Sequence, residues 1–209
     1  MLNFSLVHTF LKELWYHSSI PTGKESIMRG QSHKCLGQYL AKQYMPDAPK
    51  RYIRAFLAGC VEPDKNPATY LKGSIRFQWL RGHNYRNARR YMGRLSRRLE
   101  NRSRLRLLDY YAMGKLIHYT TDSFTSAHNA GFPARLEFHR AYEAELQNYF
   151  LSFLSRNPQP AAIACRDIMD AIRSQHRLYS RYPADIRTDT RFAFTTCCAV
   201  TQSLLAKPL

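Results

Sequence analysis

Residues 118–143 read HYTTDSFTSAHNAGFPARLEFHRAYE, and the spacing of the polar residues in this stretch decides the fold. Five of its side chains can ligate a metal ion: His118, Asp122, His128, His139 and Glu143. The first two are four residues apart, and so are the last two, which places each pair on one face of a helix. Imidazole nitrogen and carboxylate oxygen are ligands of catalytic zinc sites that keep a position open for water. The stretch therefore predicts two helices, joined by a loop at residues 128–133, that present metal ligands.

The rest of the chain also has the periodicity of helices, and no segment alternates as a strand does. We expect helices over residues 32–45, 52–60, 85–100, 105–125, 134–155 and 161–181, and a last one from after residue 189 to about 205. Ser32 and Asn84 are predicted N-caps. Residues 61–74, rich in Pro, Asn and Gly, are a predicted loop. The predicted fold is all-α, a single-domain multi-helix bundle with metal ligands projecting into its core.

The composition fits one packed domain. The chain has 209 residues, of which 44% are hydrophobic, including 14 Tyr and 11 Phe. Its five cysteines are an odd number and include no Cys-x-x-Cys pair, which is typical of reduced thiols rather than of a disulfide framework. We expect residues 28–209 to form the helical domain and residues 1–27 to be an N-terminal extension.

The N-terminal extension has two interpretations. Its apolar residues fall on one helical face, which predicts an amphipathic helix that packs on the domain or touches a membrane surface. Alternatively, Met28 is the true start. The segment lacks the basic region and the unbroken apolar run of a signal peptide, so we expect a cytoplasmic protein, or a secreted or membrane-peripheral one if the start is wrongly assigned. No apolar run reaches the ~18 residues of a membrane span, so no transmembrane segment is predicted.

The charge of the chain is strongly unbalanced. There are 32 Lys and Arg against 15 Asp and Glu, a formal net charge of +17. Such a field attracts phosphate-bearing partners, which include nucleic acid, an anionic membrane surface and a phosphoester substrate, and it does not choose among them. Arginines concentrate between residues 81 and 106, where they cover more than one face of a predicted helix. This segment is either a docking surface for phosphates or a solvated face.

Three further candidate ligands precede the central stretch: His33, Asp64 and His83. The first lies at a predicted helix start, the second in the predicted loop and the third before the Arg-rich helix. Asp64 follows Pro63, and Pro-Asp is also a common turn sequence. Asn84 and Asn129 adjoin candidate ligands and are either their orienting partners or cap and turn residues. The remaining histidines, among them His176, match no ligand pattern.

Taken in order, this set resembles the zinc-dependent phospholipase C family. The hallmark of that family is a helix bearing His-x-x-x-Asp, a His a few residues later, and a helix bearing His-x-x-x-Glu. The segment GKLIHYTTDSFTSAH forms the core of the match. An early His, a Pro-Asp loop and a later His also occur here in the family order. The resemblance covers about residues 31–150 and implies an all-helical fold that binds up to three zinc ions.

The resemblance also implies how the ligands divide among the zinc ions. The implied sets are His83, His118 and Asp64 for one ion, Asp122 bridging to a second that His33 also binds, and His128, His139 and Glu143 for a third. The metals would activate water for in-line attack on a phosphodiester, so that no protein nucleophile is needed. Asp64 is the implied general base.

The activity implied is a phospholipase C-type hydrolysis, which cleaves the glycerol–phosphate bond of phospholipids. Secreted members of the family bind one zinc ion through an N-terminal Trp, whereas here His33 follows 32 residues, so we expect two or three ions. Two alternatives stay open. Single-strand-specific zinc nucleases share the fold and the ligand types, and the positive charge suits nucleic acid. The other alternative is a basic nucleic-acid-binding or membrane-binding protein whose zinc is structural.

Overall fold

Helices account for all regular secondary structure in the residues that the computed structural model describes, which are 29–66, 83–129 and 136–206. Seven α-helices occur within these ranges, and a 3-10 turn, Ser126–His128, follows the fourth. The helices are α1 (Arg29–Tyr44), α2 (Lys50–Lys65), α3 (Tyr85–Glu100), α4 (Leu107–Ser123), α5 (Leu136–Ser155), α6 (Ile168–Tyr179) and α7 (Ile186–Leu205). No strand occurs in the described ranges, and the predicted all-α fold is confirmed.

Helix α4 lies at the centre of the bundle. Between residues 112 and 123 every residue except Lys115 is buried, because α1, α2, α3 and α7 all pack against this helix. The hydroxyls of its buried threonines and serine donate to backbone carbonyls four residues earlier, so these groups need no water. A helix buried on all sides carries His118 and Asp122 into the core.

Helices α2 and α4 cross at two glycines. A Cβ added to Gly59 would clash with the carbonyl oxygen of Tyr111, and one added to Gly114 would clash with the carbonyl oxygen of Phe56. Only a residue without a side chain allows two helix backbones to approach this closely. The crossing therefore fixes α2, which carries Asp64, against the central helix.

Helix α1 begins before its predicted start. Ser32 is not an N-cap, because α1 already includes Arg29, the first described residue. Ser32 is followed three residues later by Cys35 rather than by Glu or Gln, so it lacks the reciprocal bond of a capping box. His33 therefore lies inside a helix rather than at its start.

The prediction of a loop over residues 61–74 is wrong for its first five residues, which are helical. Helix α2 continues past Pro63 and ends at Lys65. The first backbone N–H after the helix donates to the carbonyl oxygen of Glu62 at 3.0 Å, and the buried Glu62 carboxylate pairs with Lys115 of α4 at 2.7 Å. This link to α4 stabilises a helical turn that the proline by itself would disfavour. Asp64 consequently projects from a helix and not from a loop.

The other helix ends can be compared with their predicted caps and ranges. Asn84 caps α3 as predicted, since its Oδ1 accepts the N–H of residue 87 at 2.9 Å. Helix α6 begins at residue 168 rather than 161, because Asp167 supplies its N-cap. Helix α7 was predicted to begin after Asp189, but it begins at Ile186 with Asp185 as its N-cap, and Asp189 is buried inside the helix. Helices α4 and α5 agree with their predicted ranges to within two residues at each end.

Residues 1–28, including the predicted amphipathic helix and Met28, lie outside the described residues, so the division into an extension and a helical domain stays a prediction. Within the described ranges, no helix has both the length and the apolarity needed to cross a membrane. All five cysteines are described, and each is a free thiol, as the sequence predicts.

Candidate metal centre

Four parts of the chain bring five of the predicted ligands together in the core. Helix α1 contributes His33, the last turn of α2 contributes Asp64, the segment before α3 contributes His83, and α4 contributes His118 and Asp122. The side chain of Asp64 is 14% exposed and the other four are 9% exposed or less. The spacing of four residues on α4 directs its two ligands into the same space, as the sequence predicts.

Donor atoms of His83, His118 and Asp122 lie at the mutual spacing of ligands around one metal ion, and an oxygen of Asp64 lies close to two of them. His83 Nδ1 and His118 Nε2 are 3.2 Å apart, and Asp122 Oδ2 lies 2.8 Å from the first and 3.1 Å from the second. Asp64 Oδ1 is 3.6 Å from His118 Nε2 and 3.8 Å from His83 Nδ1. Ligands bound about 2.0–2.1 Å from a tetrahedral zinc ion are about 3.3 Å from one another. The five observed distances bracket that value.

The backbone of α2 sets the orientation of His118. Its Nδ1 lies 2.9 Å from the carbonyl oxygen of Cys60. Because a carbonyl oxygen only accepts, Nδ1 donates, and the lone pair of Nε2 is left to face His83 and Asp122. Cys60 directly follows Gly59, so the crossing that joins α2 to α4 also orients this ligand.

His33 approaches the same two carboxylates from a second direction. Its Nε2 is 3.2 Å from Asp122 Oδ1 and 3.9 Å from Asp64 Oδ2. Each carboxylate thus directs one oxygen towards His33 and the other towards the remaining two imidazoles. Within the described residues, His33 Nδ1 and Asp64 Oδ2 are buried without a hydrogen-bond partner. A buried oxygen of this kind is costly unless a cation lies beside it.

The electrostatics of the cluster favour bound positive charge. Burial by itself would raise the pKa of Asp122, but the imidazoles of His118, His33 and His128 outweigh burial and hold that pKa well below its ordinary value. Burial by itself would lower the pKa of His33, but the carboxylates of Asp122 and Asp64 outweigh it and raise that pKa. Either protons or a metal ion can supply the charge that these carboxylates require.

The donor set fits zinc in number and in chemistry. Two groups of three side chains have donor atoms close enough to hold an ion: His33, Asp64 and His118, and His83, His118 and Asp122. The groups share His118, so together they form one cluster of three imidazoles and two carboxylates. Nitrogen and oxygen donors of these kinds are typical of catalytic zinc, and three protein ligands leave a coordination position for water.

The other predicted ligands lie beside this cluster. His128 Nε2 is 3.2 Å from Glu143 Oε1, and the His128 ring stacks on that of His83 with centroids 6.3 Å apart. Burial alone would lower the pKa of His128, but the carboxylates of Asp122 and Glu143 raise it. His139 lies on α5 one turn before Glu143, and its side chain is outside the described residues.

The two asparagines next to the ligands have local structural contacts. Asn84 caps α3. Asn129 donates through Nδ2 to the carbonyl oxygens of Ser123 and Thr125, at 3.1 and 2.9 Å, and so closes the turn that carries His128. These contacts are those of a cap and a turn residue, which was one of the two interpretations open for each.

Two residues that hold the same turn were not predicted from the sequence. His176 Nε2 lies 3.3 Å from Asn129 Oδ1, and the His176 ring stacks on Tyr85 at 3.8 Å. Asp189 accepts the backbone N–H of Ser126 at 2.7 Å. The partners of these side chains are 47 and 63 residues away along the chain, so no local pattern identifies them.

One family model matches most of the chain. It is described as zinc dependent phospholipase C, and it matches residues 32–207. That range contains all eight predicted ligands and extends to the end of α7. No curated protein and no solved structure matches the chain.

Proposed function

The chain belongs to the zinc-dependent phospholipase C family of phosphodiesterases, and we propose that it hydrolyses the glycerol–phosphate bond of phospholipids. The observation that carries this proposal is the buried cluster in which three imidazoles and two carboxylates direct their donor atoms at one another. Like-charged oxygens and nitrogen lone pairs do not gather in a protein core unless positive charge is bound between them. Because the family is zinc-dependent, we propose that this positive charge is zinc.

In this proposal His83, His118 and Asp64 would hold one zinc ion and His33 would hold a second, with Asp122 as a ligand of both. His128, His139 and Glu143 would hold a third. Bound zinc lowers the pKa of a water molecule and polarises phosphoryl oxygens, which is the chemistry that phosphodiester hydrolysis requires.

Asp64 is the proposed general base. It is the least buried of the five cluster residues, and its Oδ2 has no hydrogen-bond partner among the described residues. An unoccupied carboxylate oxygen beside the cluster can accept the proton that water loses on attack. The helical position of Asp64, held by the Glu62–Lys115 ion pair, keeps that oxygen at a fixed place.

The outer face of α3 supports action at a lipid surface. Six arginines of this helix are exposed, and Arg98 among them pairs with Asp109. The spacing of the other five places them on one side: Arg86, Arg89, Arg90, Arg94 and Arg97. The opposite side is apolar and buried in the bundle. Near an anionic membrane each basic residue contributes about 1 kcal/mol of attraction. We propose that this arginine face holds the enzyme on anionic lipid, with the site at the N-terminal end of the same helix.

The test is phospholipid hydrolysis and zinc content in two variants of α4. Asp122→Asn removes a negative charge from the cluster, so hydrolysis should fall below detection and at least one zinc ion should be lost. Asp109→Asn is the matched control, because Asp109 is a buried aspartate on the same helix that pairs with Arg98 at 2.9 Å, away from the cluster. It should lose stability and keep its zinc and its activity. Wild-type hydrolysis by Asp122→Asn would refute the proposal.

A second candidate function is the hydrolysis of single-stranded nucleic acid by the same centre. The arginine face favours it, because a row of guanidinium groups binds a nucleic-acid backbone as readily as lipid phosphates. Incubation with single-stranded DNA, with and without a chelator, separates the two candidates. Zinc binding without hydrolysis of either substrate would favour a basic binding protein with structural zinc.

A further inference from the structure

A second buried carboxylate, outside the metal cluster, is surrounded by hydrogen-bond donors. Asp189 of α7 is 1% exposed. Its Oδ1 accepts from Ser126 Oγ at 2.8 Å and from the Tyr179 hydroxyl at 2.7 Å. Its Oδ2 accepts from the Ser126 backbone N–H at 2.7 Å and from the Tyr142 hydroxyl at 2.8 Å. Each oxygen therefore has two donors, and neither is left unsatisfied.

Three of the four donors come from the two segments that carry the outer pair of candidate ligands, and the fourth, Tyr179, belongs to α6. Ser126 lies two residues before His128 in the 3-10 turn. Tyr142 directly precedes Glu143 on α5. Successive residues on a helix point about 100° apart, so anchoring Tyr142 fixes the rotation of α5 and with it the direction in which Glu143 leaves the helix. One carboxylate therefore sets the position of both the turn and the helix.

A gain in folding stability does not by itself explain why a hydrogen-bonded carboxylate is buried at this position. Removing a carboxylate from water costs several kcal/mol, and apolar residues of similar volume are often at least as stabilising as a buried ionic network. The network does impose fixed distances, because four short bonds to two oxygens allow little variation in where Ser126 and Tyr142 lie. These bonds therefore also limit the separation of His128 Nε2 and Glu143 Oε1, which are 3.2 Å apart.

We propose that Asp189 is a positioning residue that holds His128 and Glu143 at the separation needed to bind a zinc ion between them. The inference rests on the proposed function, which assigns an ion to this pair. Asp189 touches neither the ion nor the substrate in this account. It acts through Ser126 on one ligand and through Tyr142 on the other.

The first experiment tests the clamp in metal-free protein, where zinc has no influence. Asp189→Asn places an amide NH₂ among groups that are themselves donors, so hydrogen exchange of the backbone amides in Ser126–His128 should accelerate by roughly 10- to 100-fold. The matched control is Asp109→Asn, which makes the same substitution at a buried aspartate that pairs with Arg98 and lies at the other end of α4 from this turn. Unchanged exchange at residues 126–128 in Asp189→Asn would overturn the inference.

The second experiment measures zinc affinity by competition with a chelator. Loss of a residue that orients metal ligands typically weakens metal binding by roughly 10- to 100-fold, and we expect that loss for one ion in Asp189→Asn. His128→Ala, which removes a proposed ligand itself, should lose the same ion, and Asp109→Asn should lose none. Tyr142→Phe removes only the link to α5 and, as the milder variant, should give an intermediate loss even if Asp189→Asn folds poorly.

The outcomes separate the two proposals. Faster exchange in Asp189→Asn with zinc affinity unchanged would overturn the positioning role and leave the proposed function intact. If His128→Ala kept every zinc ion, the assignment of zinc to this pair would fail, and the inference would fail with it. A chain that binds no zinc at all would overturn both.

Discussion

Replacing Gly114 by alanine tests whether the backbones of α2 and α4 are in contact where these helices cross. The added Cβ would overlap the carbonyl oxygen of Phe56 and would stand 2.8 Å from the backbone nitrogen of Cys60 and 2.9 Å from the carbonyl carbon of Gly59. All three are backbone atoms of α2, so no side-chain rotation relieves the overlap. The helices must instead separate by about 1 Å to restore normal contact.

The expected loss of stability follows from two opposing contributions. Overpacking a core costs roughly 1–3 kcal/mol, and contact with three rigid backbone atoms places this site near the upper end, at about 3 kcal/mol. Alanine in place of glycine inside a helix recovers about 1 kcal/mol. The net destabilisation is therefore about 2 kcal/mol.

Urea unfolding with a matched control measures this difference. In Gly93→Ala, on α3, the added Cβ would meet only Met169 Cγ at 4.0 Å, so the same substitution should stabilise by up to about 1 kcal/mol. With a slope of about 2 kcal/mol per molar urea, the midpoint should fall by about 1 M for Gly114→Ala and rise by about 0.5 M for Gly93→Ala. Equal midpoints for Gly114→Ala and the wild type would refute the argument that the backbones are in contact.

Three further predictions concern a cap, a partly buried histidine and the arginine face. Asn84→Ala should cost about 1 kcal/mol in urea unfolding and weaken zinc binding, because the lost cap adjoins His83. Burial lowers the pKa of His176 to about 4. A histidine in the unfolded chain has a pKa near 6.5, so as the pH is lowered the unfolded state takes up the proton before the folded state does. The free energy of unfolding should therefore fall between about pH 6.5 and pH 4, and it should fall less steeply in His176→Gln. Charge reversal at Arg90 and Arg97 should reduce co-sedimentation with anionic vesicles and leave hydrolysis of a soluble short-chain substrate unchanged.

The helices and the grouping of the inner candidate ligands could be predicted because local patterns specify them. The spacing of His118 and Asp122 is a property of any helix, and Asn84 is a cap wherever a helix follows it. The prediction was wrong where a distant contact decides the local structure. The loop prediction for Asp64 follows from the Pro, Asn and Gly content of residues 61–74. The helix continues to Lys65 because Glu62 pairs with Lys115 of α4, a contact that the local sequence does not reveal.

The clamp around Asp189 lies beyond sequence reasoning for the same reason. Asp185 and Asp189 are both aspartates near the start of α7, and a cap could be assigned to either. Which one turns inward depends on Ser126 and Tyr142, and the packing of α5, α6 and the 3-10 turn brings these to one point. Local patterns therefore identify individual candidate ligands, whereas the contacts that hold them in place appear only in the assembled bundle.

The central claim is that the buried histidines and aspartates are a zinc centre, and zinc content per chain tests it most directly. Elemental analysis of protein purified without chelator should give two or three zinc ions per chain. Asp122→Asn should lose at least one of them, and Asp109→Asn should lose none. A folded wild-type chain that holds no zinc after zinc is added back would contradict the account, and so would an unchanged zinc content in Asp122→Asn.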